Sequence, residues 1–234
     1  MNRLVARIAC DVRLQWRNGF YFAAAFVVAV FIILLAWVPQ RSLSWILPVV
    51  LFGNLATNSF YFMAGLVLLE KAERSLEGQV VTPLRDWEYL LAKVATLCVL
   101  SLAESLVIVT VAYAASPDWF ALAAGVGLLA TTLACCGFLS VARYDSINEF
   151  LFPSVLVITL LALPLLDLLG VWPSMLWYLH PVHPSVVLVG AGFGPISPVE
   201  LGAAILAGAG WVAIGFVLCL RGFHRFVIAR EANA

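Results

Sequence analysis

Six apolar runs, each near 20 residues, set the terms for this chain: residues 20–38, 46–69, 89–113, 119–141, 150–169 and 201–220. Coiled as an α-helix at about 1.5 Å per residue, such a run matches the roughly 30 Å hydrocarbon core of a bilayer. Lipid offers no hydrogen-bond partner to backbone amides, so only helices or closed barrels can cross it. These runs are too continuous for the alternating pattern of barrel strands. The expected fold is therefore all-α and integral to the membrane, with six transmembrane helices in a single domain over residues 1–234. Composition agrees, at 64% hydrophobic and 11% charged. Soluble domains lie nearer half and a quarter.

Charge sets the orientation. Arg3, Arg7, Arg13 and Arg17 precede the first run, and Lys71, Arg74, Arg85 and Lys93 surround the second connection. Arg143 lies in the fourth connection, and Arg221, Arg225 and Arg230 follow the last run. Twelve of the 13 cationic residues thus fall on one side and only Arg41 on the other. The excess of Lys and Arg in cytoplasmic segments predicts that both termini and the second connection face the cytoplasm.

Two further segments carry structure of their own. Over residues 1–19, Leu4, Val5, Ile8, Ala9, Val12 and Trp16 share one helical face, with Arg3, Arg7, Arg13 and Arg17 opposite and Leu14 and Cys10 interrupting the polar side. Such a helix is expected along the membrane surface, its apolar face in the interface and its arginines toward phospholipid headgroups. It shows no small-residue cleavage site, so it is not read as a secretory signal. Residues 171–199 hold five prolines, Trp172 and Trp177, and Gly190, Gly192 and Gly194. This segment is too apolar for a solvated loop and too broken for a regular crossing. It predicts a re-entrant or interfacial pair of short helices on the outer side before the last span, with Trp172, Trp177 and Tyr178 at headgroup level.

Several chemistries find no footing. A formal net charge of zero and no basic tract give no basis for nucleic-acid binding. ATP binding by a P-loop needs a lysine after a Gly-rich turn, and the two lysines follow Glu70 and Ala92. Neither Gly-x-Ser-x-Gly nor His-Glu-x-x-His occurs, so no catalytic residue is assigned and the chain is not expected to be an enzyme. Cys10, Cys98, Cys135, Cys136 and Cys219 form no Cys-x-x-Cys pair and read as small packing residues. His180 and His183 lack an evident third metal ligand, so no metal is assigned. Glu104 stands deep in the third run, where ionised side chains are costly and face a bundle interior or cavity. It reads equally as a proton-carrying or substrate-contacting carboxylate and as a neutral, hydrogen-bonded packing residue.

The second connection concentrates what remains. Of 13 basic and 13 acidic residues, nine fall in residues 70–93: Glu70, Lys71, Glu73, Arg74, Glu77, Arg85, Asp86, Glu88 and Lys93. Charges this dense must meet water or a partner protein. Its sequence, EKAERSLEGQVVTPLRDWEYLLAK, resembles the cytoplasmic loop of ABC-2-type transporter permeases, through Glu73, Arg74, Leu76, Glu77, Thr82, Pro83, Leu84, Glu88 and Lys93. It departs in having Ser75-Leu76 where members of that family often have Gly-Thr-Leu. In size and general character the chain is also similar to permeases of the fluoroquinolone and drug-export subgroup.

The resemblance implies the membrane subunit of an exporter that pairs with an identical or different permease and with ATP-binding cassette subunits, which bind ATP and Mg. No cofactor is expected in this chain. The 70–88 loop would carry a helix docking on the ATPase. Leu76 and Val80 would seat in an apolar groove, Glu73, Arg74 and Glu77 would contact its rim, and Thr82-Pro83-Leu84 would turn the chain back. By the same resemblance spans one, two and five line the substrate cavity, with Asn54, Thr57 and Asn58 as polar candidates beside Glu104. The expected location is the cytoplasmic membrane of a bacterium or archaeon, and the cargo a hydrophobic or amphipathic drug or lipid-like compound. Two other readings stay open: a proton-coupled secondary transporter using Glu104, and a non-transporting anchor for a cytoplasmic partner.

Overall fold

A computed structural model describes residues 3–73 and 85–223 of the chain. Among these, every regular element is helical. Helices α1 (Arg3–Arg17) and α2 (Phe20–Leu35) meet at a 65° bend. At the bend Gly19 takes a left-handed backbone (φ +77°), which costs glycine little and ends α1 sharply. Helix α3 (Gln40–Leu55) runs through a π-helical turn (Ala56–Tyr61) into α4 (Phe62–Ala72), one apolar span of 33 residues. Then follow α5 (Asp86–Ala112), α6 (Trp119–Val141), α7 (Ile147–Ala162) and the short α8 (Leu165–Leu168), α7 and α8 together forming a span of 22 residues. A 3₁₀ turn (Met175–Leu179), α9 (His183–Ala191) and α10 (Pro198–Phe223) complete the order.

Five of these helices are long and apolar enough to cross a membrane, and the bent pair α1–α2 makes a sixth when counted as one span. The chain is an all-helical, multi-pass membrane protein. Its boundaries differ from the apolar runs in one instructive place. The second span begins at Gln40, six residues before the run does, because Pro39 sits just outside its first turn and the helix carries Pro48 without ending. Polar residues inside this span mark the π turn: Thr57 Oγ1 donates to the Gly53 carbonyl at 3.1 Å, a back-bond that competes with the regular ladder.

Local caps set the element starts. The Asp118 carboxylate accepts from the amides of Phe120 and Ala121 at the head of α6, at 3.0 and 3.1 Å. At the head of α5 the Glu88 carboxylate accepts from the Arg85 amide at 2.9 Å.

Helix α6 is the hub, packed against α9, α10, α5, α4 and the π turn. Two glycines make this possible. A Cβ on Gly137 would overlap the Phe60 carbonyl, and one on Gly125 would lie 2.6 Å from the Val189 amide. Burial separates inner from outer spans. The most apolar stretch of Gln40–Ala72 is 67% buried and that of α6 61%, against 17% for Ile147–Leu168 and 11% for α10. The outer two therefore turn most of their surface to lipid or to another apolar surface. On α10, Ala204 and Gly208 face inward, Gly208 against Leu128, whereas Ala203 and Ala207 face out.

The segment expected to be re-entrant or interfacial divides into two parts. Trp172 and Tyr178 are exposed as expected and Trp177 is half-buried, while α9 is buried against α6, α10 and α3 through Val186, Leu188 and Val189. Its apolar content serves the core. Its prolines confine the irregular backbone to the approach, where Pro184 sits in the first turn of α9 and needs no amide partner.

Candidate functional site

Helix α1 turns its polar stripe inward. Asp11 and Gln15 are fully buried and Arg7 is nearly so, while Val5, Val12 and Trp16 face outward. The apolar face thus meets the surroundings as expected, but Arg7 points into protein rather than toward headgroups. The reason lies at the two ends of the second connection. Glu70, at the close of α4, is 3% exposed and Lys93, about two turns into α5, is 0% exposed. Lys93 Nζ lies 2.8 Å from Glu70 Oε1 and 3.3 Å from Asp11 Oδ1. Arg7 bridges the same two carboxylates, at 2.6 Å to Glu70 and 3.0 Å to Asp11.

Two cations and two anions therefore close a balanced quartet. The ring of Tyr89 lies under both cations, 4.8 Å from Arg7 and 5.0 Å from Lys93, and its hydroxyl donates to Glu70 at 2.6 Å. Gln15 extends the contact, donating to Thr96 at 2.9 Å and accepting from Tyr21 at 3.0 Å. Leu14, an apparent flaw in the polar side of α1, packs on the core beside this stripe.

The same face gathers the neighbouring connection. Lys71 Nζ donates to the carbonyls of Ala142 and Tyr144, at 2.9 and 2.7 Å, and so caps the C-terminus of α6 with positive charge. Asp145 stands 3.5 Å from the same ammonium. Farther out, Arg17 and Glu73 form an exposed pair at 3.3 Å. Of the expected ATPase-facing residues, Glu73 alone is described. Arg74, Leu76, Glu77, Val80, Thr82, Pro83 and Leu84 lie outside the described residues. The expectation that the charges of 70–93 meet water or a partner therefore fails at Glu70 and Lys93. They satisfy each other and α1 inside the protein.

A second polar cluster lies deep in the span pair. Asn54 Nδ2 donates to Glu104 Oε2 at 3.0 Å, Asn58 Nδ2 donates to the same oxygen, and Asn58 also reaches Asn54 Oδ1 at 3.2 Å. One turn away on each helix, the hydroxyls of Ser59 and Ser101 pair at 2.9 Å. Three of the four expected cavity residues, Asn54, Asn58 and Glu104, are thus brought together, but buried between α3–α4 and α5. Thr57 lies apart from them, on its Gly53 back-bond.

An open cavity of about 670 Å³ lies instead on the loop face. Asn18 and Phe20 line it from the α1–α2 bend, Gly65, Leu68 and Ala72 from α4, and Ile147 from α7. It is thus bounded by spans one, two and five, the spans expected at a substrate cavity. Asp145, Ser146 and Asn148 add a polar edge to it at the approach to α7.

At the opposite end, His183 Nε2 meets Asp167 Oδ2 at 2.9 Å. His180 Nδ1 accepts from the Val182 amide at 3.3 Å, and burial holds its imidazole below the ordinary value. Among the described residues no group of three or more His, Cys, Asp and Glu converges as a metal site requires.

Comparison with known proteins adds what geometry alone cannot. Residues 2–231 match the model of the fluoroquinolones export permease protein family. Two proteins of Mycobacterium tuberculosis, from the strains CDC 1551 / Oshkosh and ATCC 25618 / H37Rv, carry the name fluoroquinolones export permease protein. Each is 32% identical to this chain over 209 residues, which cover 88% of either sequence. The match spans both the loop-face quartet and the Glu104 cluster. The chain belongs to the fluoroquinolones export permease protein family.

Proposed function

We propose that the chain is the permease subunit of an ABC-type exporter in the cytoplasmic membrane of a bacterium or archaeon. It would move hydrophobic or amphipathic drugs, fluoroquinolones foremost, with ATP and Mg bound by a separate ATPase subunit. A second permease, identical or different, would complete the transport path, and both termini would face the cytoplasm.

The single observation that carries the reading is the ionic quartet at the feet of the 70–93 loop. An element that receives force from a motor must be tied to the spans it moves. Glu70 and Lys93 hold the loop's two feet together, and Arg7 and Asp11 join both to α1. Lys71 fastens the same foot to the end of the fourth span and, through Asp145, to the connection leading into the fifth. Motion of residues 74–84 would thus reach spans one, two, three and five together. Those are the spans around the 670 Å³ cavity, together with the neighbour that packs on them. Its mostly apolar lining suits an amphipathic aromatic compound partitioning from the membrane.

The test is assembly. Co-expression with a cognate ATP-binding cassette ATPase should yield a stable complex. The charge reversal Glu73→Arg with Arg74→Glu should weaken that complex while leaving the permease folded. Unchanged co-purification of the ATPase with the reversed loop would remove the docking role assigned to these residues.

A further inference from the structure

The hydrogen-bond pattern around Glu104 is that of an acid rather than a carboxylate. Both amide donors, Asn54 Nδ2 and Asn58 Nδ2, address one oxygen, Oε2. Oε1 is buried and meets no donor. An ionised carboxylate has two equivalent oxygens, each calling for donors, and leaving one buried and bare is costly. A neutral carboxyl behaves differently: its carbonyl oxygen takes both donors, and its hydroxyl needs only an acceptor. An unpartnered acceptor sits on a side chain that already touches Glu104, for Asn58 Oδ1 is likewise buried without a partner. Glu104 and Asn58 are 6% and 0% exposed.

No countercharge substitutes for that proton. Among the described residues no ion pair reaches Glu104, and the charges on the elements around it are remote. On α5 the nearest is Lys93, eleven residues or about 16 Å along the helix. On α3 it is Arg41 and on α4 Glu70, about 20 and 18 Å along the axis from Asn54 and Asn58. Helices α2 and α6 carry no charged residue. The titratable groups nearby face elsewhere: Cys98 toward Gly127, Cys135 toward Cys219 and Gly215 of α10, and Tyr61 toward Phe150 and Ser154.

We infer that Glu104, Asn54 and Asn58 form a proton-binding site that latches the second span to the third. In the described conformation the proton sits on Oε1 and the two asparagines clasp Oε2. The π turn between Leu55 and Phe62 supplies the weak point at which the latch opens. Opening admits water, the Oε1–H bond breaks, its electron pair stays on the carboxylate, and the proton passes to water as hydronium. Reclosure requires a proton to return, since the charged form is costly in the membrane interior. The inference stands whether or not an ATPase drives the cycle.

Infrared spectroscopy of the full-length protein in an ester-free detergent tests this directly. At neutral pH the wild type should show a protonated-carboxyl band, shifted in deuterium oxide and absent in Glu104→Gln. Glu104→Gln keeps the acceptor and replaces the hydroxyl by an amide, so its thermal midpoint should stay close to that of the wild type. Glu104→Leu strands both asparagines and should melt far lower. A difference spectrum in which Glu104→Gln loses ionised-carboxylate bands and no acid band would overturn the inference. Where Glu104→Gln does not fold, the band must persist in Asp11→Asn and in Glu70→Gln, and its loss in either would equally overturn it.

Discussion

Lys93 shows how one residue can carry a structural decision. Its ammonium is fully buried, and two carboxylates from different elements depend on it. Removing one partner of a buried ionic group leaves the others uncompensated, at a cost of about 3–5 kcal/mol. Lys93→Met is therefore expected to destabilise the protein by about that amount in a chemical unfolding titration in detergent micelles. Adding Glu70→Gln should recover part of it, because one stranded charge goes as well. Gly137 offers a purely steric counterpart. Gly137→Ala places a methyl into the Phe60 carbonyl and should cost about 1–3 kcal/mol by the same titration. Gly127→Ala meets open space and should cost nothing measurable.

These same residues show where a sequence stops being readable. The charges of 70–93 were conspicuous, and their burial was not. Arg7, Asp11 and Gln15 form an i, i+4, i+8 stripe that a helical projection displays plainly. What hid their role is that their partners lie 63 to 82 residues away, at distances no local pattern encodes. Glu104, Asn54 and Asn58 were individually legible, because a polar residue in an apolar run is an anomaly at any position. Their convergence depends on the phase between two helices, which a single chain does not print. The apolar lining of the 670 Å³ cavity had no signal to offer.

At the scale of elements, that phase is set by the π turn. It adds a residue to the second span without changing its apolar length, so hydropathy cannot see it. Deleting one residue from the regular helix before it, Val50, should turn the rest of the span by about 100°. Glu70 would then leave Lys93, and Asn58 would leave Glu104. The deletion variant is expected to lose its monodisperse peak in detergent size-exclusion chromatography, whereas deletion within the exposed 3₁₀ segment should be tolerated. A monodisperse, thermally stable deletion variant would mean that the two clusters do not fix the span's rotation. The α1–α2 bend belongs to the same scale: Gly19 lets an interfacial helix become the handle of a span, and the quartet fixes that handle to the loop.

The whole molecule divides into a packed interior of spans two, three, four and α9, and an outer shell whose last spans are mostly bare. Hydropathy placed the spans because lipid demands length and continuity. It could not rank them by burial, since in a membrane protein the inside and the outside are both apolar. The chain belongs to an export permease family, and its drive from the loop face is what we propose on that basis. The measurement that tests this most directly is transport in proteoliposomes holding the permease and a cognate ATP-binding cassette ATPase. A fluorescent fluoroquinolone should accumulate only with hydrolysable ATP, and Glu73→Arg with Arg74→Glu should abolish the accumulation. Accumulation driven by a proton gradient in liposomes lacking the ATPase would contradict the account.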